Sequence, residues 1–131
     1  MGFAIANPQI FELNDDLVKS YVGGLEYVLS KMSPSPQFIF CVVSNSNAAR
    51  YSAIKTKCCV DRPIPTQIFL SRNLTNRGLM SIATKVAIQM NCKIGGVPWS
   101  VDIPVQGLMV VGYDVCHDTS NKARDFGMLV K

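Results

Sequence analysis

Between residues 18 and 32 the apolar positions recur every three or four: Val18, Tyr21, Val22, Leu25, Val28, Leu29 and Met32. That spacing lays them along one stripe of a helix, and Asn14 or Asp15 is placed to cap it. Ser33-Pro34-Ser35-Pro36 stops the pattern, because proline has no amide hydrogen and fixes φ. Phe38 to Val43 is a short unbroken apolar run rich in branched and aromatic side chains, which predicts a strand buried on both faces. Ser44-Asn45-Ser46-Asn47 then offers N-cap residues for a helix from about Ala48 to Cys58. After a turn with prolines at 63 and 65, Thr66 to Ser71 predicts a second strand. Asn73 to Asn76 caps a third helix carrying Leu79, Ile82, Ala83, Val86, Ala87 and Met90 on one face, and Gly95-Gly96 ends it. Leu108 to Val115 predicts a strong strand and Phe126 to Val130 another, with Trp99 before them as a packing anchor.

Strands alternating with helices predict an α/β fold, Rossmann-like, with a mostly parallel central sheet flanked by helices. In such folds ligands sit beyond the carboxyl ends of strands. Segment 44–58 is a strand, a polar turn and a helix N-terminus, whose unsatisfied N–H groups attract anions. It lacks the glycines of a dinucleotide or P-loop motif, which argues against those ligands.

Composition narrows the classes. A chain of 131 residues holds one domain and at most the beginning of a second, and 48% apolar residues are enough for a core. No run of 18 apolar residues and no basic-then-apolar N-terminus is present, so neither a membrane span nor a signal peptide is expected. Five cysteines, an odd number without C-x-x-C spacing, fit reduced thiols in an intracellular protein. The single histidine, His117, argues against a zinc site. The net charge of +4 is unevenly spread. Eight of the 13 basic residues lie between Asn45 and Gly95, opposed there only by Asp61. A basic middle between acidic flanks suits an anionic partner, though a solvated basic face explains the charge equally well.

Tyr51 and Lys55, four apart, share a helix face, as do Gln89 and Lys93. Between them Gln67 interrupts an apolar strand, and a buried amide needs partners. A phenol that can stack on a base, two carboxamides and two ammonium groups together suit a terminal phosphate carrying a base. Each pair alone is common on ordinary helices. The competing readings are a small α/β enzyme acting on a phosphorylated metabolite and a protein-interaction module with an incidental basic face. No nucleophile–base pair supports the first.

Three stretches in order, Tyr51-Ser52-Ala53-Ile54-Lys55, Pro63-Ile64-Pro65-Thr66-Gln67 and Ile82 through Gly96, resemble the MID domain of PIWI-clade Argonaute proteins. The likeness covers roughly residues 37 to 130 and is looser before that. It implies a lead-in segment and N-terminal helix over 1–36, a MID core over 37–106 and the start of a PIWI domain, RNase H-like, over 107–131. By resemblance, Tyr51 stacks on the first base of a small guide RNA, a piRNA used in RNA-guided silencing. Lys55, Gln67, Gln89 and Lys93 surround its 5′-phosphate, and Asn45, Ser46, Asn47, Ala48 and Ala49 form the loop that reads the base, with uridine expected.

Gln89 stands where the other Argonaute clade has a lysine. The resemblance therefore implies Mg²⁺ at the phosphate, with Gln67 as a candidate ligand. Asp114 matches the first carboxylate of the family's two-metal cleavage site, but no partner set follows it, so a non-catalytic fragment is expected. The resemblance further implies a monomer that meets the rest of its PIWI domain, in cytoplasmic germ granules or the nucleus, without membrane contact.

Overall fold

The structure, a computed structural model, describes residues 6–115. The expected strand over 126–130 and His117 lie outside that range. The chain divides into two compact units, 1–99 and 100–131. In the first, the order is α1 (Val18–Lys31), β1 (Ile39–Val43), α2 (Ala48–Thr56), a π turn (Lys57–Asp61), β2 (Thr66–Leu70), a 3₁₀ turn (Ser71–Thr75) and α3 (Leu79–Lys93). The two strands run parallel, Ile39 opposite Thr66 and Val43 opposite Leu70. Parallel strands need a crossover, and α2 supplies it. The α/β class stands as expected.

Strand alternation sorts side chains to two faces. Ile39, Cys41 and Val43 of β1 and Ile68 and Leu70 of β2 pack with Tyr21 and Leu25 of α1 and with Ile54 and Cys58. Ile54 is fully buried at 0% exposure. Burying such a side chain contributes about 1.5–3 kcal/mol. Burial pushes the Cys41 thiol up to about 11, with the nearby Cys58 adding to it. All four described cysteines are free thiols.

The other face carries Phe40, Val42, Gln67 and Phe69, with the two phenylalanine rings 5.7 Å apart. Here the expectation of a strand buried on both faces fails for β1. Phe40 and Val42 are 44% and 46% exposed. An unbroken apolar run cannot report that one of its faces is less covered than the other among the described residues.

Helix ends follow local chemistry. Asn47 caps α2 by accepting from the Arg50 amide at 3.0 Å. The expected caps of the other two helices shift by a few residues. α1 starts after Leu17, whose amide donates to Asp15, and α3 starts after Gly78, whose amide donates to Asn76. At the far end of α3 Gly95 takes φ +87°, and the Gly96 amide returns to the Asn91 carbonyl at 2.8 Å. Only glycine takes that φ at low cost, so the stop falls just after Lys93.

The second unit departs most from expectation. Residues 108–115 form no strand, and Val101, Leu108, Met109, Val110, Val111 and Tyr113 are exposed. A strand is stable only with a hydrogen-bonded neighbour, and no described strand pairs with this segment. Trp99, expected as an anchor, is exposed too. Among the described residues no helix is long and apolar enough to cross a membrane.

A lysine cluster as candidate anion site

Lys55 lies in the last turn of α2 and Lys93 in the last turn of α3. Both ammonium groups donate to one acceptor, the Thr66 carbonyl, each at 2.9 Å. The two nitrogens are therefore no further apart than twice that distance. Lys93 also donates to Gln67 Oε1 at 2.7 Å, and Gln67 Nε2 donates to the Ile68 carbonyl at 3.1 Å. Tyr51 lies one turn before Lys55, its ring 5.9 Å from the Lys55 ammonium and 54% exposed. Four of the five expected residues thus come together. Gln89 is exposed one turn before Lys93, and no hydrogen bond to a described residue draws it into the cluster.

Among the described residues neither Lys55 nor Lys93 forms an ion pair; the salt bridges there use Arg50, Lys57 and Arg62. Two cations on one carbonyl, with no carboxylate, repel each other in a partly desolvated place. Burial, and then the charge of Lys55, lower the pKa of Lys93 below the usual 10.5. An anion bound there offsets the repulsion between the two ammonium groups.

The position of the cluster corrects the expectation from topology. It lies at Thr66 and Gln67, the amino end of β2, and not beyond the carboxyl ends of the strands. The charge comes from side chains at two helix C-termini. At the N-terminus of α2, Asn47 already uses one of the amides. The proposed base-reading segment is exposed throughout, but Ala48 and Ala49 already belong to α2, so the loop proper ends at Asn47.

Charge counting in sequence also overstated the open basic surface. Arg50 is buried, at 2% exposure. It pairs with Asp16 and donates to the Asp16 carbonyl at 3.0 Å, the Asn45 carbonyl at 2.6 Å and Asn45 Oδ1 at 2.7 Å. Its guanidinium lies 5.3 Å from the Tyr21 ring centroid. Asp16 in turn accepts from Ser44 and Tyr21, and those hydrogen bonds hold its carboxyl below the usual carboxylate range. Burial, with the bond to Asp16, pushes the Tyr21 hydroxyl up to about 12. Lys57 and Arg62 are engaged as well, both on Glu26 of α1. The pairing of Asp16 with Arg50 and of Glu26 with Lys57 and Arg62 carries no sequence signal, because these partners lie far apart in the chain. Nor could any side-chain pattern reveal the Thr66 carbonyl.

No group of three His, Cys, Asp or Glu side chains suited to a metal occurs among the described residues. Gln67 Oε1 faces an ammonium. Asp114 is exposed, its carboxylate accepting from the Val115 amide at 2.8 Å.

Comparison with known proteins covers nearly the whole chain. Residues 38–130 match the Piwi domain family. The chain is 49% identical to Piwi-like protein Siwi of Bombyx mori over 130 residues, which is 99% of this chain and 14% of that protein. It is 43% identical to protein piwi of Drosophila melanogaster over the same length, covering 15% of it. The crystal structure of Drosophila Piwi superposes with a TM-score of 0.83 at 44% identity, over 92% of this chain and 16% of that one. The chain thus spans about one seventh of the length of these relatives. With a family match over most of its length and high identity throughout, the chain belongs to the Piwi family.

Proposed function

We propose that the Lys55–Lys93 cluster holds the 5′-monophosphate of a small guide RNA, a piRNA, and so serves RNA-guided silencing. The observation that carries this reading is the convergence of two ammonium groups on one carbonyl, with no opposing carboxylate among the described residues. A terminal phosphate brings nearly two negative charges and three acceptor oxygens. Each lysine can exchange its bond to Thr66 for a charge-assisted bond to phosphate. Gln67 orients Lys93, and Gln89 reaches the phosphate from the preceding turn of α3. The exposed ring of Tyr51 stacks on the first base, and Asn45 to Ala49 reads it, with uridine favoured.

Mg²⁺ enters this reading only as a companion of the phosphate, with the Gln67 carboxamide oxygen as its candidate ligand among the described residues. Equal affinity in Mg²⁺ and in chelator would remove it. The chain is read as a monomeric binding module that works beside the rest of the PIWI domain. Cleavage is not assigned to it.

The test compares a short RNA bearing a 5′-phosphate with the same RNA bearing a 5′-hydroxyl, by calorimetry. Phosphate-dependent binding, lost in Lys93→Met, is expected. Equal binding of both RNAs would overturn the reading, and turnover of the RNA or of nucleotides would favour an enzyme instead.

A further inference from the structure

The buried Arg50 network lies outside the lysine cluster, yet it grips the segment just before Tyr51. Arg50 Nη2 donates to both the carbonyl and the side-chain oxygen of Asn45. Its other terminal nitrogen is held by Asp16, which also accepts from Ser44. Ser71, at the start of the 3₁₀ turn, donates to the Ser44 carbonyl at 3.4 Å. The loop from Ser44 to Asn47 is thus tied to the approach to α1, to the first turn of α2 and to the end of β2.

A guanidinium is costly to bury, and an apolar residue would fill the space more cheaply. What the charged group adds is geometry, because its fixed fork of donors sets where Asn45 stands. Because Oδ1 is turned toward Arg50, the Asn45 carboxamide keeps its N–H₂ donors to present outward.

We propose that Arg50, anchored by Asp16, is a positioning residue for base selection, holding Asn45 as a hydrogen-bond donor toward the first base of the ligand. The inference rests on the 5′-end reading above. It adds that selectivity among bases depends on residues that touch neither phosphate nor base. A base edge offering a carbonyl acceptor at that point is favoured over one offering an amine.

The experiment measures dissociation constants of UMP, CMP, AMP, GMP and the base-free ribose 5-phosphate for the 131-residue chain, for Arg50→Lys and for Asp16→Asn. Thermal midpoints are recorded alongside. Both variants are expected to keep the affinity for ribose 5-phosphate, while the spread between tightest and weakest nucleotide narrows roughly five-fold, the worth of one net hydrogen bond. An unchanged spread overturns the inference, and so does an equal loss for ribose 5-phosphate and the nucleotides. If Arg50→Lys does not fold, Asp16→Asn decides by the same criteria. An unsubstituted chain that binds all four nucleotides equally overturns the inference alone. One that binds none of the five overturns the 5′-end reading and the inference with it.

Discussion

Lys93 carries a cost that the proposed phosphate binding explains. Its ammonium is desolvated and shares an acceptor with Lys55, and both effects oppose its charge. Replacing it with methionine removes that repulsion. Lys93→Met is therefore expected to leave the thermal midpoint unchanged or raised while weakening 5′-phosphate binding at least roughly ten-fold, the scale of a lost charge-assisted bond. A lowered midpoint with unchanged affinity would mean that Lys93 is only a packing residue.

The sign of the pH dependence follows from the same groups. The phosphate gains its second charge at about pH 6, so affinity rises through that region. The folded pKa of Lys93 is depressed, so charging it costs the free protein stability below that pKa. The cost disappears as pH rises through the unfolded value near 10.5. Binding needs the charged form, so the alkaline decline in affinity begins below 10.5. Tyr21 behaves oppositely. Its folded pKa is raised from 10.0 to about 12, so its contribution is complete below 10.0 and is lost as pH rises toward 12. Thermal melts across that window should show a smaller alkaline loss for Tyr21→Phe than for the unsubstituted chain.

At the scale of elements, the core that α1 and α2 form on one face of β1 and β2 positions the helix end that carries Lys55. Ile54 sits at its centre, one residue before Lys55. Ile54→Ala is expected to cost about 2–5 kcal/mol in chemical denaturation, the range for a large-to-small change at a fully buried site. Gly95→Ala tests the end of α3 and should cost about 1 kcal/mol, because alanine is strained at φ +87°.

The helices and both strands of the first unit were legible in sequence, since period and caps are local properties. So was the set of Tyr51, Lys55, Gln67 and Lys93, through spacing and resemblance. What was not legible is long-range: which face of β1 stays open, that Arg50 is buried against Asp16, and that Thr66 offers its carbonyl to both lysines. The 108–115 segment misled for a related reason. Its apolar residues describe a strand, but strand formation depends on a partner that the segment cannot encode.

At the scale of the molecule, charge among the described residues is more focused than composition suggests. Arg50, Lys57 and Arg62 are paired with Asp16, Glu26 and Asp61. A single phosphate held by two lysines should give a shallow salt dependence, with a logarithmic slope of about −1 to −2, where a groove tracking many phosphates would be far steeper. Calorimetry of a 5′-phosphorylated RNA across a salt series measures it.

The most direct measurement follows backbone amides by NMR while UMP and uridine are titrated into the isotopically labelled chain. Saturable shifts at Tyr51, Lys55, Gln67 and Lys93 with UMP, absent with uridine, are expected. Shifts that are the same for both, or that map away from these four residues, would contradict a phosphate site at the lysine cluster.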